Sequence, residues 1–155
     1  MSAPRLNRVV ADFTADATRN KKIRLKDLRG QNVVLYFYPK DSTPGCTTEG
    51  RDFSDLHAKF RRRKTVVLGV SRDSIASHEK FREKQEFPFD LISDPDEKIC
   101  KAFDVIHEKS LYGRKFMGVV RSTFLIDADG KLRKEWRKVK VKGHAEEVLE
   151  AVKAL

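Results

Sequence analysis

Two cysteines, Cys46 and Cys100, are the residues with the most chemical promise, and they keep different company. Cys46 lies in the stretch Pro39-Lys40-Asp41-Ser42-Thr43-Pro44-Gly45-Cys46-Thr47-Thr48-Glu49. That stretch follows an apolar run and leads into a segment of helical periodicity. A sulfur placed there falls in the first turn of a helix, where unpaired N–H groups and the positive end of the dipole favour a thiolate. The thiolate, not the thiol, is the nucleophile. Thr43 brings a hydroxyl to the same loop, and Pro39 and Pro44 stiffen it. A free cysteine is ordinarily a small buried hydrophobe, but a polar, turn-rich loop is a poor site for one. Cys46 therefore reads as an activated nucleophile whose electrophile these residues do not name. Cys100, in Lys98-Ile99-Cys100-Lys101-Ala102-Phe103, lies beside an apolar stripe and reads as core packing.

The elements that must position Cys46 follow from periodicity. Val33 to Tyr38 is a continuous β-branched and aromatic run closed by Pro39, as expected of a strand buried on both faces. Thr65 to Val70, Phe89 to Ile92 and Val119 to Ile126 read as further strands. Asp129-Gly130 makes a hairpin turn into Lys131 to Val139. Phe53, Leu56 and Phe60 form a helical stripe. Ser74 caps a helix burying Ile75 and Phe81. Ile99, Ala102 and Phe103 mark a short helix, and Ala145, Val148, Leu149 and Val152 a C-terminal one. Val105 to Gly118 lacks a clear period and reads as a long surface connection. The expectation is an α/β fold: a central mixed β-sheet, antiparallel at one side, with helices on both faces. Ligands of such sheets bind beyond the carboxyl ends of the strands, which is where Cys46 falls.

Composition sets the outer bounds. The chain has 155 residues, 39% hydrophobic and 36% charged, with no Pro/Gly/Ser-rich linker. It reads as one domain, 1–155. No apolar run reaches the roughly 18 residues that span a bilayer, so no membrane partner is expected. Two cysteines are too few for a disulfide scaffold or a thiolate zinc site, and the four histidines form no pair at metal-ligand spacing. No metal or organic cofactor is expected. The first 20 residues lack the apolar core of a secretory signal, and Asp12 and Asp16 argue against a transit peptide, so the expected compartment is the cytoplasm. The net charge of +10 could mark a nucleic-acid-binding protein on a redox-inert fold. No nucleic-acid motif accompanies it, so it reads as a solvated surface that steers anionic partners.

Pro39-x-x-x-Thr43-x-x-Cys46 matches the peroxiredoxin active-site pattern. Tyr36 to Asp41 and Thr43 to Thr47 resemble the peroxiredoxin Q, or bacterioferritin comigratory protein, branch. The likeness continues through Gly69-Val70-Ser71, Leu91 to Asp94 and Arg121 to Asp127. It implies a thioredoxin-like fold and thiol-dependent reduction of hydrogen peroxide and organic hydroperoxides, with no cofactor, commonly by a monomer. It implies Cys46 as the peroxidatic cysteine, Thr43 and the Cys46 N–H as holders of the peroxide, Arg121 beside the sulfur, and Pro39 as its shield. Gly45 belongs to the same loop. Glu49 either orients Arg121 or is an ordinary first-turn acid.

The chain departs from this pattern at the second thiol. Where many relatives carry a resolving cysteine, this chain has Arg51, or Phe81-Arg82-Glu83-Lys84 in the next helix. The expected cycle is one-cysteine, with thioredoxin, glutaredoxin or glutathione as external donor. The alternative is an internal Cys46–Cys100 disulfide. A thioredoxin-type reductase would need Cys-x-x-Cys, and Glu49 stands at the fourth position.

Overall fold

A computed structural model describes residues 3–155. Its centre is a seven-stranded sheet in the order β2-β1-β5-β4-β3-β8-β9. The strands are β1 (Thr14–Ala17), β2 (Lys21–Arg24), β3 (Asn32–Phe37), β4 (Thr65–Ser71), β5 (Asp90–Ser93), β8 (Ser122–Ile126) and β9 (Leu132–Arg137). A separate hairpin pairs β6 (Ile106–Leu111) with β7 (Arg114–Val119). The helices are α1 (Pro44–Asp55), α2 (His57–Arg62), α3 (Ile75–Gln85), α4 (Lys98–Ala102) and α5 (His144–Lys153).

β3, β4 and β5 run parallel at the centre, where apolar runs buried on both faces belong. β8 and β9 continue antiparallel from β3. β1 and β2 continue antiparallel from β5. The sheet is thus mixed, as its sequence predicts, but antiparallel at both sides. The two N-terminal strands escape notice because they carry few apolar residues, only two alanines in β1 and Ile23 in β2.

Alternation along β3 divides the core into two layers. Val33, Leu35 and Phe37 face one layer, with Leu25, Ile99, Cys100, Phe103 and Phe124. Val34, Tyr36 and Tyr38 face the other, with Cys46, Phe53, Phe60, Phe81 and Val148. Helices α1, α2, α3 and α5 bury side chains in the second layer, and α4 covers the first. The two sulfurs therefore lie on opposite faces of the sheet.

Three local expectations change. The segment Val105 to Gly118 is not a loop but the β6–β7 hairpin, with Tyr112 (φ +51°) and Gly113 (φ +78°) at its turn. It is mostly exposed and mixes charged residues with exposed Leu111, Tyr112, Phe116 and Met117, so neither period survives in its sequence. The stripe Phe53, Leu56, Phe60 spans two helices that meet at Leu56, the C-cap of α1 and N-cap of α2. In α3, the Ser74 hydroxyl accepts from the Ser77 N–H at 3.2 Å as expected, but the buried residues are His78 and Phe81, with Ile75 only half-buried.

Part of the basic surface around β9 is engaged within the chain. Arg133 pairs with Asp127, and Lys134 lies over the Trp136 ring at 5.2 Å. The Trp136 N–H donates to Glu147 at 3.1 Å, so this indole packs rather than stands free. Among the described residues no helix is long and apolar enough to cross a membrane.

Candidate active site

Cys46 is the third residue of α1, immediately beyond the carboxyl end of β3. Thr43 is the N-cap, with extended backbone, and Pro44 opens the helix. Pro suits that position because its fixed φ is helical and its missing N–H would have had no partner. The first intrahelical bond is Thr47 N–H to Thr43 C=O at 2.9 Å. The N–H groups of Gly45 and Cys46 precede it, and the Thr43 side chain does not cap them. Instead the Thr43 hydroxyl donates to the Lys40 carbonyl at 2.8 Å, leaving its oxygen as an acceptor towards the loop.

Cys46 is 2% exposed. Arg121 donates to Cys46 Sγ through Nη2 at 3.4 Å and to Glu49 Oε1 through Nη1 at 2.6 Å. One guanidinium thus joins a thiol and a carboxylate that stand one helical turn apart on α1. Arg121 lies between β7 and β8. Its carbonyl is held by the Val139 N–H at 3.0 Å, and Val120 is held by Val105 at 2.7 Å. Gly45 leaves room for the guanidinium, since a Cβ there would lie 3.2 Å from Arg121 Nη2.

The electrostatics of this trio follow from burial. Glu49 is 1% exposed and its Oε2 has no hydrogen-bond partner. Burial pushes its carboxyl from 4.5 up to about 7, with Arg121 opposing that rise. Arg121 itself is held above its ordinary value: burial works against its charge, and Glu49 and Cys46 more than offset that. The guanidinium is thus the fixed charge of the pair, and Glu49 is the group that titrates.

Of the residues expected at the site, the structure joins Arg121 to Cys46 and Glu49 and sets Gly45 against the guanidinium, while Thr43 caps α1 and Pro39 lies on the loop that leads into it. Glu49, read as either orienter or helix acid, contacts Arg121 directly. Cys100 is absent from the site. It is fully buried in the opposite layer, and burial together with Asp94 drives its thiol far above its ordinary value. Lys109 on β6 was not anticipated. Burial lowers its pKa first, then repulsion from Arg121 and Arg72, while Cys46 raises it, so its ammonium feels the field of that site. The signal was hidden because Lys109 sits in the segment read as a loop.

A mixed sheet with a cysteine at the start of the helix beyond its central strand is the architecture of the thioredoxin-like thiol enzymes. The AhpC/TSA family model matches residues 6–135. Peroxiredoxin Bcp of Xanthomonas campestris is 57% identical over 143 residues, covering 92% of this chain and 89% of that protein. Peroxiredoxin Bcp of Bacillus subtilis is 49% identical over 142 residues, covering 92% and 90%. A crystal structure of a cysteine-to-serine variant of Xylella fastidiosa PrxQ superposes with a TM-score of 0.94 at 45% identity, covering 99% and 98%. A Xanthomonas campestris bacterioferritin comigratory protein, described in connection with alkyl peroxide reduction, superposes with a TM-score of 0.88 at 50% identity, covering 92% and 90%. The chain belongs to the peroxiredoxins, within the peroxiredoxin Q or bacterioferritin comigratory protein branch.

Proposed function

We propose that the chain reduces hydrogen peroxide and organic hydroperoxides through a one-cysteine cycle at Cys46. The observation that carries this reading is Arg121, bonded at once to the buried sulfur and to Glu49. The Cys46 thiolate attacks one peroxide oxygen. The S–O bond forms as the O–O bond breaks, and the other oxygen leaves as hydroxide or alkoxide and takes up a proton. Charge moves along the S–O–O line. The guanidinium and the free N–H groups of the first turn stabilise that movement more than the ground state. The Thr43 oxygen accepts from the peroxide O–H, and Pro39 shields the sulfur.

The product is a Cys46 sulfenic acid. A donor thiol attacks it, water leaves, and a mixed disulfide remains. A second thiol releases Cys46 and carries away the disulfide. Two observations support an external donor. The sheet separates Cys46 from Cys100, and the Cys100 thiol is buried and held protonated. Because Cys46 is buried, its turn of α1 must open for the donor. Thioredoxin, glutaredoxin and glutathione are the donor classes.

Turnover with each donor, on wild type, Cys46→Ser and Cys100→Ser, tests the cycle. Cys46→Ser should be inactive and Cys100→Ser active. Non-reducing mass analysis after one equivalent of peroxide should show a sulfenic acid or a donor adduct. A Cys46–Cys100 disulfide would overturn the one-cysteine cycle.

A further inference from the structure

His78 is completely buried, and both of its ring nitrogens face acceptors. Nε2 lies 2.9 Å from the backbone carbonyl of Ile92 on β5. Nδ1 lies 2.7 Å from Asp41 Oδ2. A neutral imidazole has a single N–H, so a neutral ring would turn a lone pair towards one of these oxygens. The Ile92 carbonyl can only accept, so Nε2 must donate. Opposite Nδ1, the proton sits either on the ring or on Asp41. The Asp41 carboxyl already accepts from the Tyr38 hydroxyl at Oδ1 and the Ser77 hydroxyl at Oδ2, each at 2.7 Å. Such bonds favour the ionised carboxylate, which places the proton on His78.

We propose that His78 is a positioning residue: a buried imidazolium that, through Asp41, fixes the loop presenting Cys46. Asp41 is tied on two sides. Its side chain meets Tyr38, Ser77 and His78, and its N–H donates to Asp73 Oδ2 at 2.9 Å. The next residue, Ser42, takes a left-handed φ of +62°. Thr43 then bonds back to Lys40, and α1 begins at Pro44. The position of Asp41 therefore sets the turn that aims Thr43 and the first turn of α1.

The groups facing the ring are few. They are Asp41 from the loop, the Tyr38 hydroxyl just beyond β3 at 3.5 Å, Asp73 from the bend after β4, and the Ile92 carbonyl of β5. Asp73 also accepts from the Ser71 hydroxyl at 2.6 Å. Within this group His78 is the cation and Asp41 and Asp73 are the anions. Removing one proton leaves a buried carboxylate opposite a lone pair, or a lone pair opposite Ile92. Either loosens Asp41, and the loop with it. This rests on Cys46 as the reacting sulfur.

The test has two arms. Nitrogen chemical shifts of the His78 ring, in wild-type protein labelled at histidine, report its protonation directly. An imidazolium pattern is expected at neutral pH, and the Asp41→Asn variant should convert it to a neutral one. The rate of Cys46 oxidation by hydrogen peroxide is then followed against pH in wild type, Asp41→Asn, His78→Gln and the double variant. Each single variant should slow oxidation about tenfold, within what a small misplacement of reacting groups costs. The double variant should be no slower than the slower single one, since both break the same contact. A neutral His78 in wild type at neutral pH overturns the proposal, as does a wild-type rate in folded His78→Gln. If His78→Gln does not fold, the wild-type ring shifts still decide. Should Cys46 be the wrong sulfur, Cys46→Ser would keep consuming peroxide while the ring shifts stayed as expected.

Discussion

Replacing Glu49 with Gln removes a buried charge while keeping an oxygen for Arg121 to bond. In the folded chain burial holds the Glu49 carboxyl at about 7 against an ordinary 4.5. The unfolded chain releases this proton first as pH rises from 4.5, while the folded chain retains it. Stability therefore falls as pH rises between these values and is level again above them. At about 1.4 kcal/mol for each tenfold difference, the span corresponds to on the order of 3 kcal/mol. Glu49→Gln has no such slope. Denaturant unfolding of both proteins at several pH values should show the variant gaining on wild type by up to about 3 kcal/mol between pH 4.5 and pH 7. The peroxide rate should move the other way. Loss of the carboxylate weakens the hold on Arg121 and should slow Cys46 oxidation about tenfold above pH 7, the cost of roughly 1.4 kcal/mol in the transition state. A stability difference that does not vary with pH would refute the buried-charge reasoning. An unchanged rate would refute the orienting role of Glu49.

Other substitutions probe the neighbourhood. Cys100→Ala should leave peroxide turnover within about twofold of wild type while lowering stability by about 1 kcal/mol, because a small core side chain is trimmed on the face away from Cys46; steady-state turnover and urea unfolding check the two halves. Gly45→Ala sets a methyl 3.2 Å from Arg121 Nη2 and should slow Cys46 oxidation several-fold at nearly unchanged stability, as stopped-flow kinetics would show. His144 is buried beside the Thr123 hydroxyl at 2.8 Å, and burial lowers its pKa from 6.5 to about 4. The unfolded chain binds the proton first as pH falls, so stability should rise with pH between these values, and His144→Gln should lack that rise in pH-dependent thermal unfolding.

Legibility in the sequence followed contact distance along the chain. Pro39, Thr43, Gly45 and Cys46 are contiguous, and an apolar run ending in a proline-bounded polar loop declares its geometry locally. Arg121 could be assigned only by resemblance, because its partners Glu49 and Cys46 lie 72 and 75 positions away. His78 and Asp41 are 37 positions apart and carry no pattern that singles them out. The central strands were plain because both their faces are buried. The hairpin strands β6 and β7 were not, since water lies on most of their surface and charged and apolar residues stand exposed there without alternation.

The β6–β7 hairpin belongs to neither side of the main sheet, yet it grows from the residues directly before Arg121. Six residues to a strand give it a reach of about 20 Å. Its base is pinned where Val120 bonds to Val105, and the Arg72 guanidinium meets the Met117 carbonyl at 3.4 Å. Its tip, Tyr112, is 97% exposed. Such an arm has the geometry of a pointer: any tilt of its base would be a much larger sweep at Tyr112. A fluorophore placed at that tip would report tilting of the hairpin during turnover, without touching the sulfur.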